Sequence, residues 1–415
     1  MKSNDLYPRY LRPKVMEALA DSPVVLIHGP RQSGKTTLAR LVGDELGFAY
    51  LSFDDDIQRA AAQSDPLGYV ADLQEQVILD EVQRVPELFT SLKAAVDARR
   101  KPGRFILTGS ASVLLIPRLA DSLAGRMDIL RLHPLTQAEL AGTDAGFLSA
   151  LFGDGFKTGV VGQRLGRALV DRMMAGGYPA ALTRYTTRRR TAWYRNYVET
   201  LVQRDVRDLG RISALDALPR LLTLAAGQTA RLLNVSDLAA PFQISRPTIR
   251  EYLTLLARIF LLEELPPWHN NRLKRLIKTP KLHLGDTGLA GALLGLEPDA
   301  LWSDRALFGQ LLETFVYQEL RRQASWQDDT LSFSHFRDKD RMEVDLVLES
   351  GSTLAGVEVK AASTVTADDF KGLRKLQGTS GKSFRAGVVL YDGGAVVPFG
   401  KSLYAVPISS LWENL

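Results

Sequence analysis

Ten residues near the amino terminus constrain the fold more than any others. His28 to Thr37 reads HGPRQSGKTT, between an apolar run, Val24-Val25-Leu26-Ile27, and a helix-like segment, Leu38 to Val42. Gly29 and Gly34 bracket Pro30, Arg31, Gln32 and Ser33, and Lys35, Thr36 and Thr37 follow. This is the G-x-x-x-x-G-K-[ST] phosphate loop in the strand-to-helix setting it requires. Its glycines let the backbone wrap a phosphate chain and turn several N–H groups inward. Residues 29–37 are therefore the predicted ATP contacts. Lys35 is expected to reach the outer phosphates, and Thr36 to put its hydroxyl on Mg²⁺.

The chain has 415 residues, enough for two to four domains. It contains no cysteine, which excludes disulfides and thiolate metal sites and fits a reducing cytoplasm. No run of 18 apolar residues occurs, and MKSNDLYPRYLRPK lacks the apolar centre of a signal peptide. A soluble cytoplasmic protein with no membrane partner is expected. A net charge of +5 says little unless it is clustered.

Residues 1–160 are expected to form the P-loop core. Strand-like runs VVLIHG, FAYLSFDD, QVILDE, RFILTGS and DILRLHPL alternate with amphipathic stretches such as Pro86 to Arg99. This alternation predicts a parallel sheet covered by helices, with ligands at the carboxyl ends of its strands. Val77-Ile78-Leu79-Asp80-Glu81 closes an apolar strand with two carboxylates, a Walker B pattern. Asp80 is assigned to Mg²⁺ and Glu81 to the attacking water as general base. Thr108 and Ser110 end the next strand as candidate sensors of the γ-phosphate or that water. Arg126, in SLAGR, is a candidate arginine finger, which in a homo-oligomer would reach a neighbour's site.

The motifs GPRQSGKTTL, LDEVQRVPELF, LTGSAS, SLAGRM and HPLTQAEL resemble those of the prokaryotic AAA-type ATPases that carry a C-terminal domain of unknown function. The resemblance continues through GGYPAAL, YVETLVQRDV and KTPKLHLGDTGLAGALLG, and so spans most of the chain. It implies a helical lid, and that Tyr178 or Pro179 in its G-x-P turn lies against adenine.

Residues 161–215, rich in arginine (Arg184, Arg188, Arg189, Arg190, Arg195), are predicted to be that lid, with KTGVVGQ as the seam before it. Residues 216–284 follow helix-turn-helix grammar: a short helix, a turn, and a second helix opening at Ser245. Ile249, Leu253, Leu256 and Phe260 share one face of the second helix. Arg246, Thr248 and Arg250 share the other and are candidate nucleic-acid contacts, DNA more than RNA. Arg272, Lys274, Arg275, Lys278 and Lys281 form a basic cluster that reads as the wing of a winged helix and could track phosphates.

Residues 285–415 combine Glu313 on an amphipathic helix, Asp345 mid-strand, and Glu358-x-Lys360 on a second strand. Residues two apart share a strand face, so Glu358 and Lys360 point the same way. That layout is the one found in PD-(D/E)xK nucleases, and the family's C-terminal domain is similar to that restriction-endonuclease-like α/β fold. Asp345 and Glu358 would then hold one or two Mg²⁺ or Mn²⁺ ions. Lys360 would assist at the scissile phosphate, and Glu313 would support the metal. The five histidines show no metal-ligand spacing. Three functions fit: ATP hydrolysis coupled to nucleic-acid handling, with or without cleavage; an ATP-dependent switch with an inert nuclease-like domain and a protein partner; and a winged-helix transcriptional regulator.

Overall fold

The computed structural model describes residues 6–110, 123–153, 155–203, 216–269, 279–327 and 330–413. Two compact units emerge. Pro8–Leu135 with Arg258–Phe260 form the P-loop unit, and Thr136–Ala257 with Leu261–Leu415 form most of the larger one. The segments read as lid, winged helix and C-terminal domain all fall in the larger unit, Arg258–Phe260 apart. Among the described residues no helix is long and apolar enough to cross a membrane.

The P-loop unit is built on β1 (Val24–His28), β2 (Ala49–Ser52), β3 (Val77–Asp80), β4 (Phe105–Gly109) and β5 (Met127–Arg131). All pair in parallel, in the order β2-β3-β4-β1-β5. β1, β3 and β4 are buried at every position. That is why they read as unbroken apolar runs rather than alternating ones. Leu26, Leu79, Phe105 and Leu107 pack against Phe89 and Leu92 of the helix Leu88–Ala98. The helix Lys35–Leu46 buries Leu38, Ala39 and Val42 and stops at Gly47, in the left-handed region that favours glycine. β4 lies between β1 and β3, so its end stands between the phosphate loop and Asp80.

In chain order the larger unit carries β6 (Gly159–Val160), β7 (Arg231–Leu232), β8 (Leu262–Leu265), β9 (Lys281–Leu284), β10 (Ser332–Arg337), β11 (Glu343–Ser350), β12 (Thr353–Lys360), β13 (Phe384–Tyr391), β14 (Ala395–Gly400) and β15 (Leu403–Pro407). One sheet has the order β7-β9-β8, and the other β10-β11-β12-β13-β15-β14-β6. In the larger sheet β10, β11 and β12 run antiparallel, and the helix Lys371–Ser380 then crosses over to β13, parallel to β12. The KTGVVGQ seam is itself part of this sheet: Val160 pairs with Ala395 on β14.

Buried charge ties the helices of this unit together. Asp286 is 1% exposed and accepts from the Gly177 amide (2.8 Å), the Tyr194 hydroxyl (3.0 Å) and Arg322 (3.1 Å). A Cβ on Gly176 would come 2.2 Å from the Asp286 carboxylate, so only glycine fits there. Near this network, Glu319 accepts from the Gln137 amide at 3.0 Å, and Arg322 lies 3.9 Å away.

Burial, offset in part by Arg322 and that amide, raises Glu319 from 4.5 to about 7. In the unfolded chain it loses its proton near the ordinary value. The unfolded state therefore binds fewer protons between the two values, and this group's contribution to stability falls as pH rises through that window. Glu319→Gln keeps an oxygen acceptor for Gln137 and removes the effect. The melting temperature of the variant relative to wild type should rise by a few degrees between about pH 5 and pH 8. A difference that is flat with pH would refute this assignment.

Candidate functional site

The phosphate loop has the backbone its glycines permit. Gly29 has φ 149°, Gly34 φ 99° and Gln32 φ 59°. A Cβ on Gly29 would approach the Leu132 carbonyl oxygen to 2.1 Å, so no other residue fits. Pro30 and Ser33 are buried in the loop, Arg31 is half-buried, and Gln32 and Thr37 are exposed. Lys35 is buried, with Nζ donating to the carbonyls of Gly29 (3.1 Å) and Pro30 (2.9 Å). From outside, Arg9 braces the loop through the carbonyls of Ser33 (2.5 Å) and His133 (2.6 Å).

Asp80 is the centre of the site. Its carboxylate is 4% exposed and accepts from the hydroxyls of Thr36 (2.9 Å), Tyr50 (2.9 Å), Ser52 (3.5 Å) and Thr108. The strand order explains this gathering. Ser52 is beside Asp80 in register, and Ile27 is beside Thr108, so β2, β4 and the loop after β1 converge on the end of β3. Burial, then the neighbouring Asp80 charge, pushes Tyr50 up to about 12, which keeps it a hydroxyl donor. Burial, with Arg131 and Lys35 close by, brings His28 down to about 3, so it is neutral beneath the loop.

Glu81 leaves the strand at φ 58° and ψ 45°, a left-handed conformation that is rare for a residue with a Cβ. Its amide donates to Thr108 Oγ1 at 3.3 Å. The Gln83 side-chain amide donates both to the Glu81 carboxylate and to Ser110 Oγ, the latter at 3.0 Å. Thr108 and Ser110 are thereby each tied to Glu81, one through its backbone and the other through Gln83.

Arg126 stands elsewhere. Its guanidinium takes Asp97 in a two-point contact, 2.6 Å from Nε and 3.0 Å from Nη2. Met127 pairs with Val24, which puts Arg126 at the amino edge of the sheet, opposite the end that carries its own phosphate loop.

In the larger unit Tyr178, one of the two expected adenine contacts, is a packing residue. Tyr178 is 1% exposed, enclosed by Trp193, Tyr194 and Tyr197 with ring centroids 5.0–6.0 Å away, which leaves no face for a base. Pro179 is half-buried and opens the short helix Pro179–Leu182. Arg246 is exposed at the start of the helix Arg246–Arg258, Thr248 bonds to Ser245 Oγ, and Arg250 pairs with Glu264 at 3.0 Å. Arg272, Lys274, Arg275 and Lys278 lie outside the described residues. Lys281, read as part of that surface cluster, is instead 5% exposed within the three-stranded sheet.

The C-terminal candidates do come together. Leu346 pairs with Val357, which brings Asp345 alongside Glu358. Asp345 Oδ2 accepts from the Val359 amide (3.0 Å), Glu358 Oε2 accepts from the Asp345 amide (3.3 Å), and Glu358 Oε1 lies 3.0 Å from Lys360 Nζ. Lys281 Nζ donates to Glu313 Oε1 at 2.7 Å and to Asp345 Oδ1 at 3.1 Å. Burial, reinforced by Asp345, raises Glu358 to about 8 and holds Glu313 well above the usual carboxylate range. Burial works against the Lys281 charge, but Asp345 and Glu313 outweigh it and hold its pKa above the ordinary value. Among the described residues, no three or more His, Asp or Glu side chains converge to hold a metal ion.

Sequence reasoning missed Arg9, Tyr50, Gln83 and the role of Lys281. Gln83 lies two residues past the Walker B pair and could have been weighed. The others meet their partners only through the fold.

Residues 21–141 match the model of an AAA domain, and residues 166–300 and 308–411 match two domains of unknown function. Uncharacterized proteins of Mycobacterium tuberculosis and Mycobacterium bovis are each 30% identical over 352 residues, 85% of this chain and 73% of theirs. Among solved structures, a Walker-type ATPase of Pyrococcus abyssi is similar at a TM-score of 0.46 and 16% identity, over 70% of this chain and 97% of that one. The RuvB Holliday junction branch migration motor of Thermotoga maritima is similar at a TM-score of 0.30 and 18% identity, over 64% and 92%. With its AAA domain ahead of two domains of unknown function, the chain belongs to the same family of AAA-type ATPases as these mycobacterial proteins.

Proposed function

We propose that this ATPase binds Mg-ATP at Gly29 to Thr37, hydrolyses it with Glu81, and uses the cycle to act on a nucleic acid, DNA in the first instance. The observation that carries the hydrolytic part is the hydroxyl-lined Asp80 carboxylate, with Thr36 Oγ1 at 2.9 Å and Glu81 on the next residue. These oxygens fit the Mg²⁺ that accompanies ATP. The ion supplies charge neutralisation at the phosphates. Lys35 exchanges the Gly29 and Pro30 carbonyls for the outer phosphate oxygens. Glu81 orients and deprotonates the attacking water as general base. Thr108 holds Asp80 and the Glu81 amide in register, while Gln83 links the Glu81 carboxylate to Ser110. Arg126, paired with Asp97 at the far edge of the sheet, could serve only another copy's site, in a homo-oligomer.

The nucleic-acid part rests on the helices Ala217–Gly227, Val235–Ala239 and Arg246–Arg258 interleaved with the β7-β9-β8 sheet. That order supports a winged-helix reading. Arg246 and Arg250 are exposed on the helix Arg246–Arg258, the recognition helix in this reading. The Arg250–Glu264 pair is a surface contact worth about 0–1 kcal/mol, which a phosphate could replace.

A second reading, an ATP-driven switch with an inert C-terminal domain, draws support from Lys281. The helix Arg305–Gln327, three antiparallel strands, a crossover helix and a parallel strand follow the order expected of a PD-(D/E)xK fold. Yet the position between Glu313 and Asp345 is taken by an ammonium. The residues as placed do not fit a divalent metal, and no cleavage step is assigned.

Two experiments test the proposal. Lys35→Ala should abolish ATP binding. Glu81→Gln should keep it and lower turnover on the order of 10²–10⁴-fold. Turnover surviving in both would refute the site. For DNA, anisotropy titrations of Arg246→Ala and Arg250→Ala should each show weaker binding, with the salt slope shallower by about 0.9. An unchanged slope in both would sink the winged-helix contact.

A further inference from the structure

We infer that Lys281 is the resident cation of the C-terminal acidic cluster, a tethered ammonium that keeps divalent metal out. Glu313 comes from a helix, Asp345 and Glu358 from β11 and β12, and Lys281 from β9 of the other sheet. The lysine backbone is fixed within that sheet, paired with Leu232 on one side and Leu265 on the other. Its side chain is 6% exposed, and its nitrogen is 2.7 Å from one carboxylate and 3.1 Å from another.

The remaining oxygens of Asp345 and Glu358 are engaged as well. Asp345 Oδ2 takes the Val359 amide, Glu358 Oε2 takes the Asp345 amide, and Glu358 Oε1 faces Lys360. A magnesium ion needs oxygens at about 2.0–2.1 Å in a near-octahedral shell that keeps several waters. Here the ammonium occupies the space those waters would need. Because it is part of the chain, its effective concentration is of millimolar order or higher, in competition with free metal. Removing it while leaving the carboxylates would strand buried negative charge, which favours either protonation or capture of another cation. Metal entry into the intact cluster thus requires the Lys281 ammonium to leave Glu313 and Asp345.

The inference does not rest on the ATPase assignment, and its test uses the full chain without nucleotide. Mn²⁺ is titrated and the free ion is read by electron paramagnetic resonance. Wild type should show no Mn²⁺ site that Asp345→Asn removes. Lys281→Gln should gain one such site, tighter than millimolar, and lose it again when combined with Asp345→Asn. Lys281→Arg, which keeps the charge, should remain metal-free. Thermal melting gives a second readout: Mn²⁺ should stabilise Lys281→Gln by several degrees and leave wild type unchanged. If Lys281→Gln is unfolded, Mn²⁺ should restore its folding. Three results overturn the inference: an Asp345-dependent Mn²⁺ site in wild type, a folded Lys281→Gln that gains none, or an unfolded Lys281→Gln that Mn²⁺ does not rescue.

Discussion

Asp80 ends a strand inside a parallel sheet, where an isolated charge costs several kcal/mol. Hydroxyl groups of Thr36, Tyr50, Ser52 and Thr108 meet that cost, and they come from three separate parts of the chain, Tyr50 and Ser52 sharing β2. The insertion of β4 between β1 and β3 makes this possible, because it brings Thr108 between the phosphate loop and Asp80. With four donors on one carboxylate, the end of β3, the start of the helix Lys35–Leu46 and the turn at Glu81 are fixed relative to one another. The left-handed Glu81 follows from the same constraint. Its amide is held by Thr108, so its side chain leaves the strand in a direction that Gln83 can secure.

The larger unit meets the same physical problem by other means. Asp286 is buried and takes a guanidinium, a phenol and a backbone amide, while burial raises Glu319 to about 7, where it holds its proton part of the time at neutral pH. Gly176 has no side chain because the Asp286 carboxylate and the Tyr194 hydroxyl fill that volume. The GGYP turn is therefore specified by packing on Asp286 and by the aromatic group around Tyr178.

The features legible in the sequence are those that are local along the chain. The phosphate loop, the apolar strands with polar ends, the Ser245 cap and the Asp345/Glu358-x-Lys360 spacing all occur where the patterns place them. What could not be read are pairings between distant segments. Nothing near Arg9 announces that it braces Ser33, and nothing near Tyr50 announces Asp80. Lys281 follows a run of basic residues, so composition groups it with a solvated patch. Its strand partners, Leu232 and Leu265, instead carry it into the interior. The KTGVVGQ stretch has the composition of a linker, but backbone hydrogen bonds to β14, which no side-chain pattern encodes, make it a strand.

Asp80 and Asp345 show how the choice of partner decides what a buried carboxylate can do next. Hydroxyl donors stabilise the charge at Asp80 without cancelling it. A full negative charge remains beside the Thr36 hydroxyl, and a divalent ion arriving with a nucleotide gains from it. At Asp345 an ammonium at 3.1 Å, shared with Glu313 at 2.7 Å, offsets the carboxylate charge from within the chain. The two sites use the same residue type on a strand, buried at Asp80 and partly buried at Asp345, with hydroxyl donors around the first and an ammonium against the second. The hydrolytic proposal therefore rests on Asp80, while at the acidic cluster around Asp345 the proposed occupant is the Lys281 ammonium.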